Sequence, residues 1–296
     1  MRAIIGVALA VVLLLSGCAS VLRVTYAQGP TLAYWWIDGY LDLNGEQAPR
    51  LRDALDRWFD WHRRVELPQY AALLARAQRD VTEPITTHGM CAWRAEAERR
   101  LDAAVEQALP AAAALIVTLT PEQLRHLQAK LAKDGAELER EFAQADRAER
   151  RQRSFKRALE RFENLYGRLD ETQRARLAKE LAASPFDADR WLAERERRVA
   201  DMLRTLGAAA SSGDVGQAQA AARVLVERSL RSPRSDYRAY QDKLAQDNCA
   251  LAATMHNLMT PAQRQVARGK LKGWEDDLRA LIGPSANNTL TPARSG

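Results

Sequence analysis

The sequence predicts an all-α protein, an elongated multi-helix bundle with one long central helix at about residues 120–166. Three observations predict it. Ala, Leu, Arg, Glu and Gln dominate the 296 residues, and all are good helix formers. No stretch sustains the two-residue alternation, rich in Val, Ile and Thr, that marks strands. A helix-starting segment also recurs four times, as "LNGEQAPRL" from Leu43, "LTPEQL" from Leu119, "LDETQRARL" from Leu169 and "MTPAQRQVA" from Met259.

Taken from the N-terminus, Met1 to Gly17 carries one early charge, Arg2, and then an apolar run from Ala3 to Leu15. That run is too short to cross the roughly 30 Å bilayer core, so residues 1–17 read as a secretion signal. The ending Leu15-Ser16-Gly17-Cys18 resembles the lipobox of bacterial lipoproteins. The resemblance implies that Cys18 is the acylated N-terminus of the mature chain. Several acyl chains on one residue would hold the domain at a membrane. Ala19, rather than Asp, follows the anchor, which by the same resemblance implies the outer membrane with the domain facing the periplasm.

Residues 18–30 are expected as a lipidated N-terminus and linker, and residues 31–282 as a single helical domain. Helices are predicted at about 31–42, 44–82 with a bend at Pro68, 90–118 with a bend at Pro110, 120–166, 171–183, 186–210, 215–231, 234–258 and 261–282. The stretch 208–216, "AAASSGDVG", is the candidate hinge. The tail 283–296, "GPSANNTLTPARSG", is expected to be disordered.

The repeated segment has a local physical reading. Thr120 is an N-cap, Pro121 fills the first helical position, and Gln123 reaches back to the cap amide as a capping box. Asp170 with Gln173, Thr260 with Gln263, and more weakly Asn44 with Gln47, repeat those roles. Unequal spacing of the four Gln residues excludes a regular solenoid period. On this reading each cap acts locally, and the contributions add.

Chemistry is less legible. With Cys18 lipidated, Cys91 and Cys249 remain as an even pair in an oxidising compartment, so one intramolecular disulfide is expected, with α-carbons about 4.4–6.8 Å apart. His62 and Glu66 stand four apart, a spacing that a metal or acid–base pair would use, although no third ligand is recognisable. The competing reading packs Trp58, Trp61 and Tyr70 in the bundle, with His62 hydrogen-bonded near the Pro68 bend. "YWWIDGY", Tyr34 to Tyr40, is read either as core aromatics or as a partner-binding surface. Arg147, Arg150, Arg151, Arg153, Lys156 and Arg157 outnumber Asp146 and Glu149 locally. Such a strip would take anionic lipid headgroups or an acidic polypeptide, or would simply be a solvated face.

The net charge of +6 is mild. No nucleic acid partner is expected, because the chain reads as exported and the basic strip lacks an accompanying nucleic-acid module. There is no nucleophile elbow, H-E-x-x-H motif or phosphate-cradling glycine loop, so no enzyme, catalytic residue, metal or cofactor is expected.

The lipobox together with "YWWIDGYLDL", "WFDWHRRVELPQYAALL", "LTPEQL", "YGRLDETQ", "SPFDADRWLAERERR" and "NCALAATMHN" resembles a family of bacterial helical lipoproteins of unknown function. That resemblance implies a place and a fold but no activity. The Leu-Thr-x-x-Gln segments alone resemble the motif of the Spy and CpxP periplasmic chaperones, which are about half as long. The leading expectation is a non-enzymatic, membrane-anchored module that binds, scaffolds or chaperones envelope proteins. Two rivals are a metal-dependent hydrolase using His62 and Glu66, and a steric foldase for one secreted enzyme, similar in architecture to lipase chaperones.

Overall fold

The computed structural model describes residues 25–142 and 147–283. Among these residues there are eleven helices and no strand. They are α1 (Gly29–Leu41), α2 (Gln47–Trp61), α3 (Leu67–Asp80), α4 (Thr87–Ile116), α5 (Pro121–Phe142), α6 (Arg147–Tyr166), α7 (Glu171–Ala182), α8 (Ala188–Ser212), α9 (Val215–Leu230), α10 (Ser235–Asn257) and α11 (Pro261–Ile282). A π-helical turn, His62–Glu66, joins α2 to α3. The expected signal segment 1–17, the expected anchor Cys18 and the tail 284–296 lie outside the described residues.

Side-chain caps set most helix starts. Thr86, Asp170, Asp187, Asp214 and Thr260 each accept the backbone N–H three residues on. Asn44 does the same for Gln47 at 3.0 Å, and its own carbonyl receives the Ala48 N–H. The bend expected near Pro68 is the π turn. Pro68 has no N–H to give Arg64, and the ladder widens so that the Leu67 N–H reaches the His62 carbonyl. Pro110 lies within α4 without ending it.

Two expectations change. The central helix expected at 120–166 is two helices, because Arg157 Nη1 lies 3.8 Å from a Glu141 oxygen and its guanidinium 4.7 Å from the Phe142 ring centroid. Sixteen positions along one rod would separate Glu141 and Arg157 by about 24 Å, so the chain must double back between α5 and α6. The stretch "DRAERRQR" offers no apolar face to hold a continuous rod. The linker expected to run to residue 30 ends sooner, since Tyr26 is buried against Phe59 and His62 and α1 starts at Gly29. The candidate hinge 208–216 takes in the end of α8, a turn at Gly213 and Asp214, and the start of α9. Gly213 takes φ +65 there, a left-handed conformation that favours glycine, and α8 and α9 pack together with Ala209 buried.

The helices form two similarly connected halves. In the first, α1 packs on α2 and α5, and α2 packs on α4; in the second, α6 packs on α7 and α11, and α7 packs on α10. The halves then exchange partners: α3 packs along α11, and α5 packs on α8. Two buried clusters follow. One gathers Val81, Tyr166, Leu169, Leu177, Met255, Met259, Ala267 and Leu271. The other joins Leu109, Ala113 and Ile116 of α4 to Ala209, Ala218 and Ala222 of the α8–α9 hairpin.

Candidate functional site

The four repeated segments are not four separate caps. Gln47 and Gln123 face each other, each Nε2 donating to the other's Oε1, at 3.1 and 2.7 Å. The remaining amide hydrogens reach the Thr118 and Asp42 carbonyls at 2.9 and 3.0 Å, and each Oε1 also accepts its own cap N–H. Gln173 and Gln263 repeat the arrangement in the other half, with carbonyl acceptors at Leu258 and Arg168. In all four cases the acceptor carbonyl stands five residues before the partner glutamine. Gln47, Gln123 and Gln173 are buried, and every hydrogen-bonding group in each pair is used. The motif therefore locks two helix starts together within each half.

Asn257 and His256 explain "NCALAATMHN". Asn257 accepts the Ile85 N–H through Oδ1 at 2.9 Å and donates Nδ2 to the Ile85 carbonyl at 2.8 Å. His256 donates Nε2–H to the Glu83 carbonyl at 2.7 Å, and its Nδ1 accepts from Tyr166 at 2.8 Å. Burial holds the His256 pKa below its ordinary value, in keeping with this neutral ring. Arg264 donates to the Thr82 carbonyl at 3.0 Å. The whole α3–α4 connection is thus fastened to the C-terminal half.

That fastened connection walls an open groove of about 510 Å³ between α3 and the start of α4. Arg76 lies over the Trp93 ring at 4.1 Å on one side, while Asp80, Ile85, Glu96 and Arg99 line the rest. Hydrogen bonding from Arg99, foremost, keeps the Glu96 carboxyl below its usual range. The surface combines a stacked cation, an aromatic face and charges of both signs. Sequence reasoning missed this groove because Arg76, Ile85 and Trp93 share no helix face or motif.

The disulfide is formed between Cys91 of α4 and Cys249 of α10, with α-carbons 5.4 Å apart. It stands two residues from Trp93, so it ties the groove's α4 wall to α10. His62 and Glu66 occupy the π turn but serve different neighbours. His62 shares a hydrogen bond with the Tyr26 hydroxyl at 2.9 Å and stacks on Trp58 at 4.8 Å, and burial lowers its pKa to about 4. Glu66 is buried, with one oxygen 4.0 Å from Arg100 Nη1. Among the described residues no group of three His, Cys, Asp or Glu could hold a metal ion, so the pair gains no third ligand.

The basic strip is partly used up within the fold. Arg153 pairs with Glu149 at 2.7 Å, and Arg157 with Glu141. Arg151 and Lys156 are exposed, and Arg150 is half-buried. The Arg147 side chain lies outside the described residues. "YWWIDGY" divides its residues: Tyr34 is buried under Arg52, Trp36 packs against Tyr40, and Trp35 is 61 % exposed.

Residues 39–238 match the "Family of unknown function (DUF6279)", a stretch of about two thirds of the chain. The chain belongs to the DUF6279 family. The match begins in α1 and runs into α10, so it takes in the first glutamine pair, the π turn and the groove. Comparison with curated proteins and with solved structures finds no match. The likeness of the Leu-Thr-x-x-Gln segments to Spy and CpxP therefore gains no support, and their recurrence is accounted for by the paired helix starts in this DUF6279 fold.

Proposed function

We propose that the chain is a lipid-anchored, non-enzymatic binding module facing the periplasm from the outer membrane, and that the α3–α4 groove holds an extended segment of an envelope protein. The observation that carries the reading is the groove itself, where Arg76 stacked on Trp93 lies among charges of both signs against a pinned wall. Pre-fastened walls lower the ordering cost of binding, which suits a scaffold or chaperone. The Leu15-Ser16-Gly17-Cys18 segment supports the anchor, and the Cys91–Cys249 bridge suits an oxidising compartment. Arg151 and Lys156 leave positive charge for anionic headgroups near α6.

The test is suppression of aggregation of unfolded client proteins by the purified chain. The parent should suppress at near-stoichiometric ratio, and a stable Trp93→Ala/Arg76→Ala variant should lose most of the effect. No suppression at excess over several clients would sink the chaperone version. Unchanged suppression by the variant would move the site away from the groove.

A further inference from the structure

Helix α1 carries a surface that the binding reading leaves unused. Its outward residues Thr31, Leu32, Trp35 and Gly39 recur at three- and four-residue spacing and bear no charge. Leu32 is 51 % and Trp35 61 % exposed. Asp38 is the one charged residue of α1, and its carboxylate is turned back to accept the Leu43 N–H at 3.0 Å. The other side of α1 is seated on α2 and α5. An exposed Trp beside an exposed Leu on a helix without outward charge is the composition that favours a membrane interface over water.

Chain length says what covers it. Only seven peptide units separate Cys18 from Thr25, where the described chain begins, a reach of at most about 25 Å. Helix α1, 13 residues and so about 20 Å long, then starts at Gly29. It is too short to span a bilayer core of roughly 30 Å, so contact with lipid must be lateral.

We propose that the uncharged face of α1, centred on Leu32 and Trp35, rests in the interfacial layer of the bilayer that holds Cys18. This rests on the lipid anchor of the proposed function. It adds a second attachment to the anchor, and two attachments close in sequence hold the domain in one orientation. The attraction is apolar, so it does not require anionic lipid, in contrast to a role for Arg151 and Lys156.

The experiment uses the full chain isolated with its membrane attachment and reconstituted into vesicles of phosphatidylcholine, with and without phosphatidylglycerol, containing acyl-brominated lipid as a tryptophan quencher. Fatty-acid labelling and vesicle flotation are read on the same samples. Labelled, floating parent protein should be quenched equally in neutral and anionic vesicles, and Trp35→Phe should lose most of that quenching while still labelling and floating. Label and flotation with equal quenching of parent and Trp35→Phe overturn the seat and leave the anchor standing. Absence of both label and flotation overturns the anchor and the seat with it. A Cys18→Ser chain that dimerises in solution, and becomes monomeric on Trp35→Phe, gives the face to a second copy and overturns the proposal.

Discussion

Gln173 and Gln263, 90 residues apart, donate to each other's side-chain oxygen at 2.8 and 2.9 Å. Removing one carboxamide therefore does more than uncap a helix. In Gln173→Ala the Leu258 carbonyl, the Asp170 N–H and an amide hydrogen of Gln263 all lose their partners. A cost on the order of 2–3 kcal/mol is expected, above the roughly 1 kcal/mol of a lost cap. Gln173→Ala/Gln263→Ala should cost less than the sum of the single variants by about 1 kcal/mol or more, whereas Gln173→Ala/Gln47→Ala should be additive. Chemical denaturation of the three single and two double variants decides it, and simple additivity within the pair would return the motif to the local capping expected from sequence.

The disulfide closes a loop with a sequence separation of 158. Chain entropy sets its contribution at no more than roughly 5 kcal/mol. Thermal unfolding with and without reductant should show a lower midpoint when reduced, and a Cys91→Ala/Cys249→Ala variant should be indifferent to reductant. Two free thiols from Cys91 and Cys249 in the denatured, unreduced chain would refute the bridge.

His62 gives a pH signature. Burial lowers its folded pKa to about 4 from an ordinary 6.5, so the neutral ring is the one the fold accepts. Its contribution is present above pH 6.5 and is lost as pH falls toward 4. Between pH 7 and 5 the loss should be at most about 2 kcal/mol. His62→Phe, which keeps a ring against Trp58, should flatten stability over that interval. His256, also shifted down by burial, should leave a residual slope in the same direction.

Gly29 has a steric role. A methyl group there would stand 2.4 Å from Phe59 Cε1, and Phe59 in turn packs edge-on against Tyr26. Gly29→Ala should cost about 1–2 kcal/mol despite the better helix propensity of alanine. Urea unfolding of the variant checks this, and an unchanged midpoint would mean that the Phe59 ring moves freely aside.

The helix boundaries were legible because they are written locally, in caps such as Asp170 and Thr260 and in the glycine that ends α8. The disulfide was legible because, with Cys18 set aside as the expected anchor, Cys91 and Cys249 leave only one intramolecular pairing. The glutamine pairs were not, since nothing near Gln47 announces a partner 76 residues away. The central helix failed for a related reason: periodicity across 120–166 could not say that its two ends serve different neighbours, α8 for α5 and α11 for α6. At the groove, Arg76 meets Trp93 across a turn that Asn257, His256 and Arg264 fasten from the far end of the chain, and no local pattern announces that.

The exchange of α3 and α5 between halves sets an order of events during folding. Helix α3 packs along α11, the last helix of the described chain, which is made about 190 residues later. Without α11, Leu74 and Ala77 lose the Ala267 and Leu271 part of the cluster they pack against. A chain cut short before Pro261 would display that face to proteases however complete its first ten helices were, so full length is itself a condition of survival.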